Sequence, residues 1–303
     1  MISRRSFLFA AACSACAQEA TFSTDVKVVS LLATVQDSDG HVVKDLNADD
    51  FALEEDGRPQ TIRYFSRESD LPLVIGLLVD TSRSQVDVIE PERAASSLFL
   101  DQVLRPDKDR AFIAHFDTHV EVLEGFTSSR DELHAALDRL RVPGMIATLL
   151  YEAIRQTSEQ MMRPQHGRKA FILLSDGVSF RDKTTIGTAI EYAQRADTII
   201  YSILYGGHHR AYRPGLAIHA VVAAHGKHAM QRLASETGGA YFEVSTSHPI
   251  EDIYAQIEDV LRNQYSIGYT PERAGPSREY RKIKLTVKGP GLIVRTRDGY
   301  YTK

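Results

Sequence analysis

The sequence predicts an α/β protein: a doubly wound, mostly parallel sheet in the middle of the chain, flanked by a β-sandwich built from the N- and C-terminal segments. Three observations carry that expectation. Residues 73–79 read LVIGLLV, an apolar run without alternation, as expected of a strand covered by helices on both faces. Similar runs, AFIAHF (111–116), FILLS (171–175), TIIYSILY (198–205) and AYFEV (240–244), are separated by helical periodicity, which implies parallel strands joined by crossover helices. The two ends of the chain instead alternate apolar with polar residues and are broken by Asp-Gly and Gly-Pro-Gly turns, the pattern of half-exposed antiparallel strands.

A length of 303 residues favours two domains over one. Hydrophobic residues at 43% and charged residues at 25% are ordinary for a soluble globular protein. The formal charge of −4 gives no general attraction to nucleic acid or anionic membranes.

Residues 1–17 read as a targeting segment. Arg4-Arg5 precedes a short apolar run from Phe7 to Ala12, and Ala15-Cys16-Ala17 fits a small-x-small cleavage site. The order Ser3-Arg4-Arg5-Ser6-Phe7-Leu8 is that of a twin-arginine signal, whose cargo crosses the membrane folded, with an ordinary secretory signal as the plainer reading. The run is too short to span a bilayer. Cys13 and Cys16 are the only cysteines. Cys16 is a lipid-attachment alternative, although the usual leucine three residues earlier is missing. Cleavage after Ala17 leaves a thiol-free chain that core burial must stabilise in an oxidising destination, whether periplasmic, envelope-associated or secreted.

Within 21–70, residues 26–35 are rich in β-branched and apolar side chains, Asp37-Ser38-Asp39-Gly40 is a turn cluster, and Phe51/Leu53 and Ile62/Tyr64 alternate around the Asp56-Gly57 turn. About fifty residues of strand bury too little surface to be stable alone. The partner is expected at 265–303. There Ile283, Leu285 and Val287 alternate with Lys282, Lys284, Thr286 and Lys288, and Gly289-Pro290-Gly291 turns the chain before 292–297 alternates again. The competing arrangement is two separate appendages on the middle domain.

The middle domain is expected over 71–264. Its helical faces are read from Leu98, Phe99 and Val103; from Leu133, Ala136, Leu137 and Leu140; from Leu150, Ile154 and Met161; and from Ile253, Ile257, Val260 and Leu261. Residues 119–123 are short enough to form an antiparallel edge with the preceding strand. Residues 206–224 read as a surface loop.

Candidate chemistry gathers where apolar strands break into polar residues. Residue 79 is followed by Asp80-Thr81-Ser82-Arg83-Ser84, and open α/β sheets place ligands at that carboxyl end. The strand at 171–175 ends in Ser175-Asp176-Gly177, a second carboxylate at the same edge. Thr148 opens a helix after the Pro143-Gly144 turn, where a hydroxyl is most often only an N-cap. An oxygen-only set suits a hard cation: Mg2+, with Mn2+ or Ca2+ as alternatives.

Asp80-x-Ser82-x-Ser84, the distant Thr148 and Asp176 together resemble the von Willebrand factor type A domain, a Rossmann-like fold, and its metal-ion-dependent adhesion site. The flanking segments look like those of the bacterial exported subfamily of such proteins. The resemblance implies that Ser82, Ser84 and Thr148 touch the ion, that Asp80 and Asp176 hold its waters, and that an open position accepts a glutamate or aspartate of a protein partner. Three neutral hydroxyls leave most of the ion's charge unquenched, in keeping with such a partner. Arg83 departs from the small residue usual there and is a candidate partner contact. Residues 144–147 (GMIA) are less glycine-rich than is usual.

Other constellations are weaker. His208-His209 and His225-x-x-His228 lack a supporting cysteine or carboxylate and read as solvated surface. His119-Val120-Glu121 mimics half of a zinc-deaminase motif without its cysteine pair. Asp117 reads as a hairpin-turn residue. The alternating Arg278, Arg281, Lys282, Lys284 and Lys288 read as a solvated face rather than a nucleic-acid patch. Nucleophile-elbow, phosphate-loop and His-Glu-x-x-His motifs are absent, and no histidine or glutamate adjoins the three ion-site segments in sequence. The expected function is an exported, metal-dependent protein-binding module, not an enzyme. A metal-dependent envelope hydrolase and an ion-free assembly factor are the alternatives.

Overall fold

The computed structural model describes residues 28–67, 71–143, 147–205, 217–272, 276 and 279–302, so the targeting segment with its two cysteines, residues 144–146 and His208-His209 lie outside it. Strands β1 (Val29–Gln36), β2 (Phe51–Glu55), β3 (Arg58–Gln60) and β4 (Tyr64–Ser66) precede the middle domain. Then come β5 (Leu73–Asp80), α1 (Ile89–Val103), β6 (Arg110–Phe116), β7 (Val120–Thr127), α2 (Arg130–Leu137), α3 (Leu150–Thr157), β8 (Arg168–Ser175) and α4 (Ile186–Arg195). After these follow β9 (Thr198–Leu204), α5 (Ala217–Thr237), β10 (Tyr241–Glu243) and α6 (Ile250–Arg262). The last strands are β11 (Tyr265–Tyr269), β12 (Tyr280–Val287), β13 (Ile293–Arg295) and β14 (Gly299–Tyr301).

The central sheet has the order β10-β9-β8-β5-β6-β7, parallel except for the antiparallel edge β7. All eight residues of β5 are buried, because alternate side chains enter two different cores. Ile75, Leu77 and Val79 pack with Phe99 of α1, Leu133 of α2 and Ile257 of α6. Val74 and Leu78 pack with Leu150 of α3, Ala189 of α4 and Leu233 of α5. Gly76 lies between two rings: a Cβ there would stand 2.6 Å from Phe112 and 2.7 Å from Phe171.

The two ends of the chain build one sandwich. Its sheets are β13-β1-β11-β4 and β14-β12-β2-β3, each mixing N- and C-terminal strands. Leu31, Val35, Phe51 and Leu53 share a core with Tyr265, Ile267, Ile283 and Leu285. β11 lies between β1 and β4, with Leu31 opposite Ile267 and Phe65 also opposite Ile267. Inside, Arg281 donates to Glu55 at 2.9 Å, and the hydroxyls of Tyr269 and Tyr300 donate to the same carboxylate at 2.5 and 3.0 Å. A buried charge pair holds only when so completely hydrogen-bonded. The sandwich meets the middle domain near the amino ends of the central strands, where Arg297 pairs with Asp197 at 2.6 Å and Gln194 donates to Asp298 at 3.0 Å.

Several expected details differ. Leu98 is 48% exposed; Ile89, Phe99, Leu100 and Val103 form the inner face of α1. Met161 is only partly buried, because a π-helical turn at Ser158–Met162 adds a residue and brings Met162 inward instead. Tyr64 is exposed and Phe65 faces the sandwich core. The expected loop at 206–224 gives way to α5 from Ala217 onward, since its alanine-rich sequence is a good helix former. Gly226 of α5 comes so close to the turn after β8 that a Cβ would stand 2.5 Å from the Asp176 carbonyl oxygen.

Candidate metal centre

Three polypeptide segments meet at the carboxyl-end rim of the central sheet. The first leaves β5 at Asp80, which is fully buried. Its Oδ1 accepts from the Ser82 amide at 2.8 Å and its Oδ2 from the Ser175 hydroxyl at 2.6 Å. Ser82 and Ser84 turn their hydroxyls toward each other, 3.0 Å apart, across a short 3-10 turn at Arg83–Gln85. Ser82 is buried, whereas Arg83 and Ser84 are exposed, so this segment runs from core to solvent within three residues.

The second segment leaves β8. Ser175 links it to Asp80, and Asp176 Oδ1 accepts from the Val178 amide at 2.9 Å. The tight turn requires Gly177, whose φ is +75° and whose Cβ, if present, would lie 2.2 Å from the Gly226 oxygen.

The third segment carries Thr148. Its amide donates to the Phe180 oxygen at 3.0 Å and its oxygen accepts from the Phe180 amide at 3.1 Å, which fastens it to the loop beginning at Asp176. The neighbouring Leu149 amide donates to the Asp117 oxygen, at the end of β6. Thr148 does not cap α3. Asp182 does so, accepting from the Tyr151 and Glu152 amides at 2.8 and 3.1 Å. The Thr148 hydroxyl is therefore not engaged in the usual role of a threonine at this point.

The electrostatics of the rim are those of a cation site. Burial first, and then the facing charge of Asp176, push the Asp80 carboxyl up to about 7, against hydrogen bonds from Ser175 and Ser82 that favour its ionised form. Glu92, on the inner face of α1, is 1% exposed, and neither of its side-chain oxygens has a hydrogen-bond partner. Burial, reinforced by the charge of Asp80, holds its carboxyl well above the usual range. Asp80 and Asp176, with the Glu92 acid close behind, would be stabilised in their ionised forms by a positive charge, and three hydroxyl-bearing residues supply further neutral oxygens. The donor set is all oxygen and fits a hard divalent cation.

Ser175 and Glu92 escape a reading by motif. Glu92 had a signal nonetheless: it shares the 3.6-residue stripe of Ile89, Ser96 and Phe99, where an acid is out of place. Asp117 does form the hairpin turn, accepting from the His119 amide at 3.2 Å, but it is 1% exposed and also accepts from Thr81 Oγ1 at 3.4 Å. Folding also brings His115 to the rim, with its Nδ1 2.9 Å from Thr81 Oγ1, so the absence of histidine and glutamate around the motif in sequence does not hold in space. His225 and His228 sit exposed on α5, and His225-x-x-His228 is not among the ligand clusters of the described residues.

Fold and rim together define a doubly wound α/β domain with a cluster of acids and hydroxyls at the carboxyl ends of its strands. The sequence profile of the von Willebrand factor type A domain matches residues 75–256, and the chain belongs to that family. Among solved structures it is similar to proximal thread matrix protein 1 from the mussel byssus, at 12% identity and a TM-score of 0.51, over 74% of this chain and 51% of that one. A second structure of the mussel protein, described as having a zinc-occupied MIDAS motif, matches with 12% identity and a TM-score of 0.51 over 68% of this chain and 49% of that one. The chain thus spans about half the length of these structures, and the likeness is one of fold. No curated protein sequence matches it. Among the described residues no helix is long and apolar enough to cross a membrane.

Proposed function

We propose that the protein is an exported binding module in which Asp80, Ser82, Ser84, Thr148 and Asp176 hold a Mg2+ that accepts an acidic side chain of a protein partner. The observation that carries this reading is the buried, uncompensated pair Asp80 and Asp176, with Ser84 and Arg83 at the solvent-facing side of the same segment. The ion supplies a positive charge with a position for an incoming carboxylate. Ser82, Ser84 and Thr148 are assigned to the ion itself, and Asp80 and Asp176 to its waters. Arg83, exposed beside them, offers a guanidinium to the same carboxylate and biases the site toward acidic partners.

Binding is favoured over turnover by the state of the nearby acid. Glu92 is buried and held toward its neutral form, which suits it poorly to act as a general base on metal-bound water. The proposed export follows from the twin-arginine-like start of the chain.

Calorimetric titration with Mg2+ tests the ion site: wild type binds one equivalent and Asp80→Ala binds none. Equal binding by the two proteins removes the assignment. Capture of partners from envelope extract with Mg2+ or with chelator tests the rest. Chelator-sensitive capture supports the module, chelator-insensitive capture favours an ion-free assembly factor, and chelator-sensitive hydrolysis of generic esters favours an enzyme.

A further inference from the structure

The β6–β7 hairpin assembles a second cluster of ligands, chemically unlike the first. His115 of β6 stands opposite Glu121 of β7 in the strand register, and His119 lies in the turn between them. Glu121 Oε2 is 3.3 Å from His115 Nε2 and 3.4 Å from His119 Nε2. One ligand atom from each of the three residues falls within 4.8 Å of the others. Two ligands at Zn2+ bond lengths of about 2.0–2.1 Å, separated by a tetrahedral angle, stand roughly 3.3 Å apart. Two edges of the triangle already have that length.

The outer side of each imidazole is also built. His115 Nδ1 lies 2.9 Å from Thr81 Oγ1, and His119 Nδ1 lies 3.0 Å from the buried Asp117 carboxylate. Metal-ligating histidines are oriented in this way, through the ring nitrogen that does not face the ion. The cluster opens on a cavity of about 310 Å3 whose walls include Arg139 and Arg141. That leaves space for a fourth ligand and a basic surround for an anionic one.

We propose that His115, His119 and Glu121 form a second metal site, which takes a transition-metal ion of the Zn2+ class and keeps one position open toward this cavity. Two imidazole nitrogens with one carboxylate select such an ion over Mg2+, whereas the oxygen-only rim suits a hard cation. The two sites are neighbours through one residue: Thr81, bonded to His115, sits between Asp80 and Ser82.

The test is titration of the full chain with Zn2+ alone, in excess Mg2+ so that the first site is filled, with the visible absorption of added Co2+ as a second readout. Wild type is expected to bind one equivalent and to give the intense bands of a four-coordinate Co2+ site. His119→Ala and Glu121→Gln should each weaken binding by about a hundredfold or more, and Asp117→Asn by about tenfold or more. Asp80→Ala and the double variant His225→Ala/His228→Ala should bind Zn2+ as wild type does. The side chains of His119 and Glu121 are 58% and 55% exposed, so their substitution leaves the fold in place, which an unchanged melting temperature verifies. Zinc binding that is absent from wild type, unchanged in His119→Ala and Glu121→Gln, or lost in Asp80→Ala overturns the proposal.

Discussion

The two rims of the central sheet treat buried acids in opposite ways. At the amino end, Asp109 is buried and saturated: it accepts from the Leu73 amide at 2.8 Å, from the Arg105 amide and Nε, each at 3.0 Å, and from Arg262 at 2.9 Å. Arg168, fully buried beside it, donates to the carbonyls of Leu261 and Leu71 at 2.5 and 3.0 Å. At the carboxyl end, Asp80, Asp176 and Glu92 are equally withdrawn from water, yet none of them forms an ion pair with a cationic side chain among the described residues. One rim neutralises its acids from within the chain and serves the fold. The other gives its acids no cationic partner from within the chain, and the proposed ion site rests on that imbalance.

Three measurements sharpen or break this contrast. The largest effect is expected from Asp109→Ala, which strips partners from Arg105, Arg262 and the Leu73 amide and should cost about 3 kcal/mol in chemical denaturation. A loss below about 1 kcal/mol would mean that the amino-end network is ornamental.

The next effect appears in acid. Burial alone drives the Asp109 carboxyl up, but hydrogen bonds from Arg105, the Leu73 amide and Arg262 outweigh it and hold the group at about 2, against a free value of 3.8. A depressed carboxyl contributes stability that is complete above its unfolded pKa and lost as pH falls through its folded one. The window is therefore pH 4 down to 2, and the contribution about 2 kcal/mol. Denaturation curves for wild type and Asp109→Asn should converge across that window; curves that run parallel would refute the linkage.

The smallest effect belongs to the other rim and has the opposite sign. Glu92→Gln keeps the shape of the side chain and removes an unpaired buried acid, so in chelator at pH 7 it should gain about 1 kcal/mol. Added Mg2+ should shrink that gain, because a bound cation lowers the cost of keeping this acid buried. A destabilised variant would place Glu92 in the same class as Asp109.

What could be read beforehand followed from local pattern. Each parallel strand of the central sheet announced itself by an apolar run, and Asp80, Ser82, Ser84 and Asp176 stood directly after two of them, so topology alone brought those segments to one rim. The sandwich was legible from size: neither end had enough strand to make a core. The features that escaped depend on phase or on distance. The π-helical turn at Ser158–Met162 shifts the helical register by one residue, which no fixed periodicity detects. His115 sits within an apolar strand and reads as a core position until β7 folds back beside it. The role of Asp182 as the cap of α3, and with it the disengaged hydroxyl of Thr148, depends on a residue more than thirty positions downstream of the threonine.

The placement of β11 between β1 and β4 has a consequence for biogenesis. During synthesis the N-terminal strands emerge first, but their hydrogen-bonding neighbour leaves the ribosome only after the whole middle domain has been made. Until then β1 and β4 present bare edges of the kind that invite association between chains. The α/β core, whose parallel strands lie closer together along the chain, can form first and bring the two ends within reach. Chain order thus allows sandwich closure only once β11 has been made, and a truncation anywhere before Tyr265 would forbid it.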